Sequence, residues 1–434
     1  MQRISDTTWL ILILLAGIGL RGGLLWTQFE RLAEDRDAYR AIAKQVAAGA
    51  GYRHPQTGQP TAYRPPGYTL LVAAVFKTRL GDAGIAGVHL LLGGGTILLT
   101  YAAARRLGLA RCSLVAALIT AVDPLLLQAA PLVMTETLAA FLTALLFWTI
   151  APHTAATPPT RGQLLGVGLV FGLNALCRPT IWAFGALAAG WWLLRRMLRR
   201  DVVNPLPVLL GVAVIVSPWL VRNMIVMGRP ILTTTHGGYT LLLGNNPVYY
   251  DEVVAVGWGA VWSGDSLARW QAHLETEMRE HDPPITSEIA RDRWMYDRAK
   301  KNIAAEPGSF LRAAFLRLAR GLWGIVPVHA ATSSAGWVLK WGVGLFYVIV
   351  FAGMITGIAS LKKANWPVWM PAVLLLAAFT LVHSCYWANV RMRTPLMPVI
   401  ALLAARGCWV ICQRLGRSLK TPVEADVCSP EDAS

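Results

Sequence analysis

Long apolar runs recur along nearly the whole chain, and a soluble fold cannot bury so many of them. The first, Trp9 to Trp26, is too long for the apolar core of a signal peptide, and no A-x-A cleavage site follows it. It predicts a retained first transmembrane helix. Further spans are expected at Ile85–Ala104, Ser113–Ala130, Thr135–Ile150, Leu164–Leu176, Ile181–Leu194, Leu206–Leu220, Trp337–Ala359, Val368–Trp387 and Pro395–Ile411. Only 15% of the 434 residues are charged, while 55% are hydrophobic. Soluble domains carry roughly a quarter charged residues, so a disordered chain, a coiled coil and an ordinary cytosolic protein are excluded. The expected fold is an all-α polytopic membrane bundle of about ten helices.

The 40 Lys and Arg against 24 Asp and Glu would suggest nucleic acid in a soluble domain. Here membrane topology accounts for the excess, because short cytoplasmic loops collect Lys and Arg, and no nucleic-acid partner is expected. Arg105, Arg106 and Arg111 lie between the second and third spans, and Arg161 between the fourth and fifth. Arg195, Arg196, Arg199 and Arg200 follow the sixth, Lys362 and Lys363 the eighth, and Arg414, Arg417 and Lys420 the tenth. All fall on one side if both termini are cytoplasmic. The chain then divides into a transmembrane module (1–221) with a first outer loop at 28–81, an outer loop region (222–335), C-terminal transmembrane helices (336–412) and a polar cytoplasmic tail (413–434).

Function is expected in the two outer loops, where polar and aromatic residues gather at the membrane–water boundary. Tyr39, Ile42, Ala43 and Val46 share one helical face, with Arg40 and Lys44 opposite. Gly49-Ala-Gly stops that helix, Pro65-Pro66-Gly67 resets the chain, and Tyr68–Leu80 reads as an interfacial helix too short to span. In the second loop Phe310, Leu311, Ala314, Phe315, Leu318 and Leu322 fall on one face, with Arg312, Arg317 and Arg320 on the other. Beside a membrane such a helix lies in the headgroup plane.

Several of these loop residues can carry chemistry. Glu34-Asp35-Arg36-Asp37 follows the first span, where a carboxylate serves either as a general base on an acceptor or as a helix cap. Arg64, at a rigid proline turn, offers a bidentate fork to phosphate or snorkels to a lipid headgroup. Glu136 stands at the mouth of the fourth span, where a dipole partner is the plainer role. Arg178, Arg222, Arg391 and Arg393 lie on the outer side, against the positive-inside trend. Four separate loops therefore bring guanidinium groups to one face, and an anionic lipid-linked ligand would account for all of them. His236 either lines the site or is an ordinary loop residue. The cysteines, Cys408 and Cys412 one helical turn apart among them, show no zinc-type spacing and read as apolar packing.

Taken in order, these motifs resemble those of the C-superfamily membrane glycosyltransferases, which include protein O-mannosyltransferases and lipid A aminoarabinose transferases. Asp35-Arg-Asp-Ala-Tyr39-Arg-Ala-Ile-Ala43 is similar to that family's acidic first-loop motif, and Tyr63-Arg64-Pro65-Pro66-Gly67-Tyr68 to its basic-proline-tyrosine turn. Thr135-Glu136-Thr137-Leu138, Arg178-Pro179-Thr180, Pro218-Trp219 with Arg222-Asn223, Gly237-Gly238 with Gly244-Asn245-Asn246-Pro247, and Arg391-Met-Arg393-Thr-Pro395 complete the series. Two positions depart from it: Tyr63 replaces an acidic residue that contributes to a metal site in the aminoarabinose transferases, and Ala38 replaces an arginine.

The resemblance implies transfer of a sugar from a polyprenyl-phosphate donor to a lipid, protein or polysaccharide acceptor at the outer face of a bacterial cytoplasmic membrane. It makes Asp35 the general base, with Asp37 orienting the acceptor or substituting in part. Arg64, Arg222, Arg391 and Arg178 are the candidate phosphate ligands, and Glu136, Tyr63, Tyr68 and His236 support them. No cofactor is specified, and a divalent metal stays open. The rival function is a transporter or flippase of a lipid-linked sugar, which would instead place ionisable residues near mid-membrane.

Overall fold

The computed structural model describes residues 5–151, 159–198, 203–260, 262, 264–326, 334–362 and 365–418. Arg199, Arg200, Lys363, Lys420, Cys428 and most of the 413–434 tail lie outside the described residues. Helix α1 (Asp6–Thr27) leads to a loop carrying α2 (Tyr39–Ala47) and α3 (Pro66–Lys77). Then come α4 (Gly81–Arg106), α5 (Ser113–Val122), α6 (Pro124–Ala129), α7 (Glu136–Ile150), α8 (Arg161–Cys177), α9 (Ile181–Met197) and α10 (Leu206–Met227). The second loop folds as α11 (Gly237–Leu243), the single turn α12 (Pro247–Tyr249), α13 (Asp265–Glu280), α14 (Glu288–Ala305) and α15 (Pro307–Leu316). Helices α16 (Ser334–Ala359), α17 (Trp366–Cys385) and α18 (Met397–Ser418) follow. No strand occurs among the described residues, so the chain is an all-α, multi-pass membrane protein.

Among the described residues six helices, α1, α4, α10, α16, α17 and α18, are long and apolar enough to cross a membrane. The other four expected stretches, around α5, α7, α8 and α9, form helices of 10 to 17 residues. The run Ser113–Ala130 is broken at Asp123. That buried carboxylate accepts from Leu126 N at 2.9 Å and from Tyr347 Oη at 3.2 Å, and Pro124 begins α6. A proline lacks the donor a continuing helix needs and pushes its predecessor out of helical geometry.

Close helix pairs are set by small residues. A Cβ on Gly168 of α8 would lie 2.1 Å from Val208 O of α10, and one on Gly407 of α18 would lie 2.1 Å from Gly353 O of α16. Only glycine lets the backbones approach this far, and dispersion along the seam replaces the hydrophobic drive that lipid removes. Arg21, 2% exposed within α1, gives its guanidinium to the carbonyls of Gly17, Ala121 and Thr120 at 2.9–3.0 Å. It ties α1 to α5 where α5 ends.

The second loop has its own core, in which Tyr249, Trp262, Trp270 and Met278 pack beneath α13 and α14. Its amphipathic segment departs from expectation. Arg317 is buried, 2% exposed, and donates to Ser384 O at 3.1 and 2.6 Å and to Gly244 O. Leu311 and Phe315 instead stand outward. Arg317 stands one helical turn after the buried Ala313 and next to the buried Leu316, so the face turned into the protein is the one that carries the arginine and the Leu311–Phe315 side is turned out. Arg317 therefore fastens the second loop to the end of α17, where a solvated polar face had been expected.

Candidate functional site

The first loop is ordered around Asp35. Its Oδ1 accepts from Arg40 N at 3.0 Å and its Oδ2 from Ala41 N at 2.7 Å, so both oxygens serve the start of α2. Between Asp35 and the helix, Ala38 adopts φ 61°, a left-handed conformation that costs a non-glycine residue about 1–3 kcal/mol. This sharp turn points Asp37 back at Arg64. Arg64 Nε donates to the Asp37 carbonyl and Nη2 to Asp37 Oδ1, both at 2.7 Å. Among the described residues Asp37 Oδ2 accepts no hydrogen bond. Tyr39, the first residue of α2, is buried as its face predicted, with Tyr68 edge-on behind it at 5.6 Å. Tyr68 Oη bonds His89 Nε2 at 2.9 Å, so Tyr68 supports the site from the core side.

Arg64 is held because α3 begins tightly. Pro66 occupies its first turn, and a Cβ on Gly67 would lie 2.9 Å from Leu176 O, so the end of α8 abuts the proline turn. The Arg64 guanidinium lies over the Tyr63 ring at 4.5 Å and near that of Tyr39 at 5.5 Å. Tyr63 meets His236 edge-on at 4.5 Å, and His236 stacks on Tyr239 at 4.9 Å. Burial, reinforced by the Arg64 charge, pushes His236 well below the usual imidazole range, so it is neutral at pH 7.

A second group forms at the mouth of α7. Glu136, 3% exposed, sets Oε1 3.7 Å from Arg178 Nη1 and 3.8 Å from Arg391 Nε. Arg178 also reaches Met392 Sδ at 2.8 Å, and Arg391 reaches Met134 Sδ at 3.0 Å. Among the described residues Glu136 Oε2, Arg391 Nε and both ring nitrogens of His383 are buried without a hydrogen-bond partner. Buried polar atoms are rarely left so, and a set of them beside two arginines marks a place that receives a polar or anionic group. Tyr39 feels the charges of Arg64, Asp37 and Glu136 together, so the two groups flank one residue.

The other expected arginines do structural work. Arg222 donates to Thr61 O at 2.7 Å and Tyr52 O at 2.8 Å, and lies over Trp219 at 5.1 Å. Its two terminal nitrogens are engaged by the first loop, as the Arg64 fork is by Asp37. Arg393 donates to Leu322 O and Gly324 O, both at 2.9 Å. A cavity of about 560 Å³ opens beside Arg222, lined mainly by apolar groups including Val46, Leu70, Ile215 and Val226.

Two residues with positions at this site had no local signal. Glu288 accepts from Ala62 N at 2.9 Å, Thr61 Oγ1 at 2.5 Å and Thr235 Oγ1, clamping both loops. In sequence it is merely an acid in the first turn of α14. Asp292 accepts from Gly238 N at 2.7 Å, and a Cβ on Gly238 would lie 2.1 Å from Asp292 O, which explains a glycine there. The one group of three metal-ligating side chains among the described residues, Cys112, Cys408 and Cys412, is not part of this site.

The family model for dolichyl-phosphate-mannose-protein mannosyltransferase matches residues 63–221. No curated protein matches the sequence. The apo oligosaccharyltransferase of Archaeoglobus fulgidus is similar in structure, with a TM-score of 0.57 at 16% identity over 96% of this chain and 52% of that one. The archaeal oligosaccharyltransferase AglB from the same organism, in complex with an inhibitory peptide and a dolichol-phosphate, gives 0.52 at 13% identity over 99% and 52%. ArnT from Cupriavidus metallidurans, bound to undecaprenyl phosphate, gives 0.45 at 16% identity over 98% and 82%. The chain spans about half the length of the oligosaccharyltransferase it matches.

Proposed function

From a chain that has the fold of the C-superfamily membrane glycosyltransferases, we propose transfer of a sugar from a polyprenyl-phosphate donor to an acceptor hydroxyl or amine at the outer membrane face. The observation that carries this reading is the Arg64–Asp37 pair, a guanidinium fork of the kind that suits phosphate, here holding a carboxylate whose other oxygen accepts no hydrogen bond among the described residues. Asp37 takes the place expected of Asp35, because both Asp35 oxygens are committed to backbone amides. Asp35 shapes the loop, and Asp37 is the base.

The step needs no second catalytic carboxylate, in contrast to glycosidases, because the leaving group is already a phosphate. On donor binding, Arg64 turns its fork from Asp37 to the phosphate. The released carboxylate takes the proton of the acceptor, whose lone pair attacks the anomeric carbon. The bond from that carbon to the phosphate oxygen breaks, and the electron pair leaves with the phosphate. Arg178 and Arg391, anchored on Glu136, stabilise the charge that develops. Tyr63, beneath the Arg64 guanidinium, and His236 form an aromatic wall beside the fork, against which the sugar would pack.

The solved AglB complex with a dolichol-phosphate and the mannosyltransferase model both support a lipid-linked phosphate as donor. The basic clusters support both termini inside, and the resemblance to the C-superfamily enzymes supports a bacterial cytoplasmic membrane. The test is transfer of a radiolabelled sugar from polyprenyl phosphate in membranes containing the chain. Labelled acceptor is the expected product. Movement of labelled donor across the bilayer with no glycosyl product would instead establish the flippase reading.

A further inference from the structure

At the other end of α4 from this site, three thiols converge. Asp82, in the first turn of α4, pairs with Arg40 of the first loop, whereas Cys112 lies in the turn that follows the C-terminus of the same helix. The 26 residues of α4 span about 39 Å at 1.5 Å per residue. Cys408 and Cys412 come from α18, which packs against α5 beside that turn. The three sulfur atoms all lie within 4.8 Å of one another. Cys112 and Cys408 are half-buried and Cys412 is exposed on the protein surface, so the cluster is open on one side.

We propose that Cys112, Cys408 and Cys412 bind a thiophilic metal ion of the zinc type. Zinc–sulfur bonds of about 2.3 Å at tetrahedral angles set sulfurs about 3.8 Å apart, so these thiols need close by no more than about 1 Å. Rotation about χ1 supplies that without moving backbone. Two ligands on one helical turn plus a third from a separate element make a site, because the third fixes the geometry that the pair alone leaves loose. Three thiolates with one zinc ion carry a net negative charge. Arg111 immediately before Cys112 and Arg414 two residues after Cys412 are close in sequence to the ligands, while Arg105 and Arg111 pair with Asp6 of α1 at 3.6 and 3.4 Å. The fourth position is left to water. Binding releases one proton from each thiol and changes no oxidation state. The ion would fasten α18 to the α4–α5 turn, far from the transfer chemistry.

The test uses the full chain, purified in detergent under reducing conditions and titrated with Co(II). One equivalent should develop a thiolate-to-cobalt charge-transfer band that Zn(II) bleaches. Cys112→Ser and Cys412→Ser should each lose the band, while a chain carrying Cys177→Ser, Cys385→Ser and Cys428→Ser together should keep it. Zn(II) should raise the melting temperature of the wild type and leave that of Cys412→Ser unchanged, which reads the site independently of the band. Absence of the band in the wild type, or its survival in Cys112→Ser, overturns the proposal. So does a disulfide between Cys112 and either α18 thiol that forms in preference to metal uptake.

Discussion

Arg64 holds Asp37 at two points, the backbone carbonyl and the carboxylate, each at 2.7 Å. A single guanidinium thus fixes both the position of a left-handed turn and the direction of an acid. Occupation of that fork by phosphate would change both at once, and this makes the pair the place to test the chemistry.

Asp37→Asn keeps the shape of the side chain and should lower turnover by about 10² to 10⁴-fold, the usual cost of losing a general base. Asp35→Asn should instead weaken the cap on α2, costing about 0.5–2 kcal/mol of stability, with a smaller loss of rate per folded molecule. Transfer normalised to folded protein separates them. A larger rate loss in Asp35→Asn would return the base to that residue.

At limiting donor, Arg64→Ala should reduce transfer about ten- to hundredfold, the worth of a hydrogen bond to a charged group. Arg64→Lys should recover only part, because an ammonium cannot present two parallel donors. An unchanged rate in the alanine variant would leave Arg64 with a lipid-headgroup role alone.

Glu288→Ala should free the segment Tyr52–Thr61 from α14 while leaving the bundle folded. Trypsin should then cut at Arg53, an exposed residue, several-fold faster than in the wild type. Equal cleavage rates would mean that Arg222 alone suffices to hold the loop.

His236 favours its neutral form in the folded state, so its contribution to stability is present above its unfolded pKa of about 6.5 and is lost as pH falls below it. Between pH 7.5 and 5.5 the wild-type melting temperature should drop by more than that of His236→Asn. Parallel curves would remove the histidine from that account.

Topology is open to labelling in sealed cells. An impermeant thiol reagent should modify a cysteine placed near His281 and spare one placed at Arg196, with native cysteines replaced. The reverse pattern would invert the orientation.

The bundle was readable because apolar runs are local signals, and the buried face of α2 was readable from its spacing, whereas the glycine seams between α8 and α10 and between α16 and α18 show only once the helices pair. Other features needed three dimensions. Asp123-Pro124 broke an apolar run whose hydropathy continues on either side, so composition concealed it. Arg317 was placed on a polar outer face because periodicity gives the two faces of a helix but not which of them the rest of the chain covers; the face with Ala313 and Leu316 is the buried one. Glu288 looks like any helix-start acid until the loops it clamps are in place. Cys112 acquires neighbours only when α18 packs beside it. Asp35 and Asp37 were both marked by sequence, but which one faces Arg64 depended on the left-handed turn at Ala38.

The clamp at Glu288 has a consequence for biogenesis. Its partners Thr61 and Ala62 are more than 220 residues earlier in the chain, and Arg391 reaches Met134 across 257. A chain emerges from the ribosome N-terminus first, at about 5–20 residues per second. The segment Thr61–Ala62 is therefore made many seconds before the Glu288 that holds it. A chain that stalls before α14 would keep that segment untied, and its order comes with the later half of the protein.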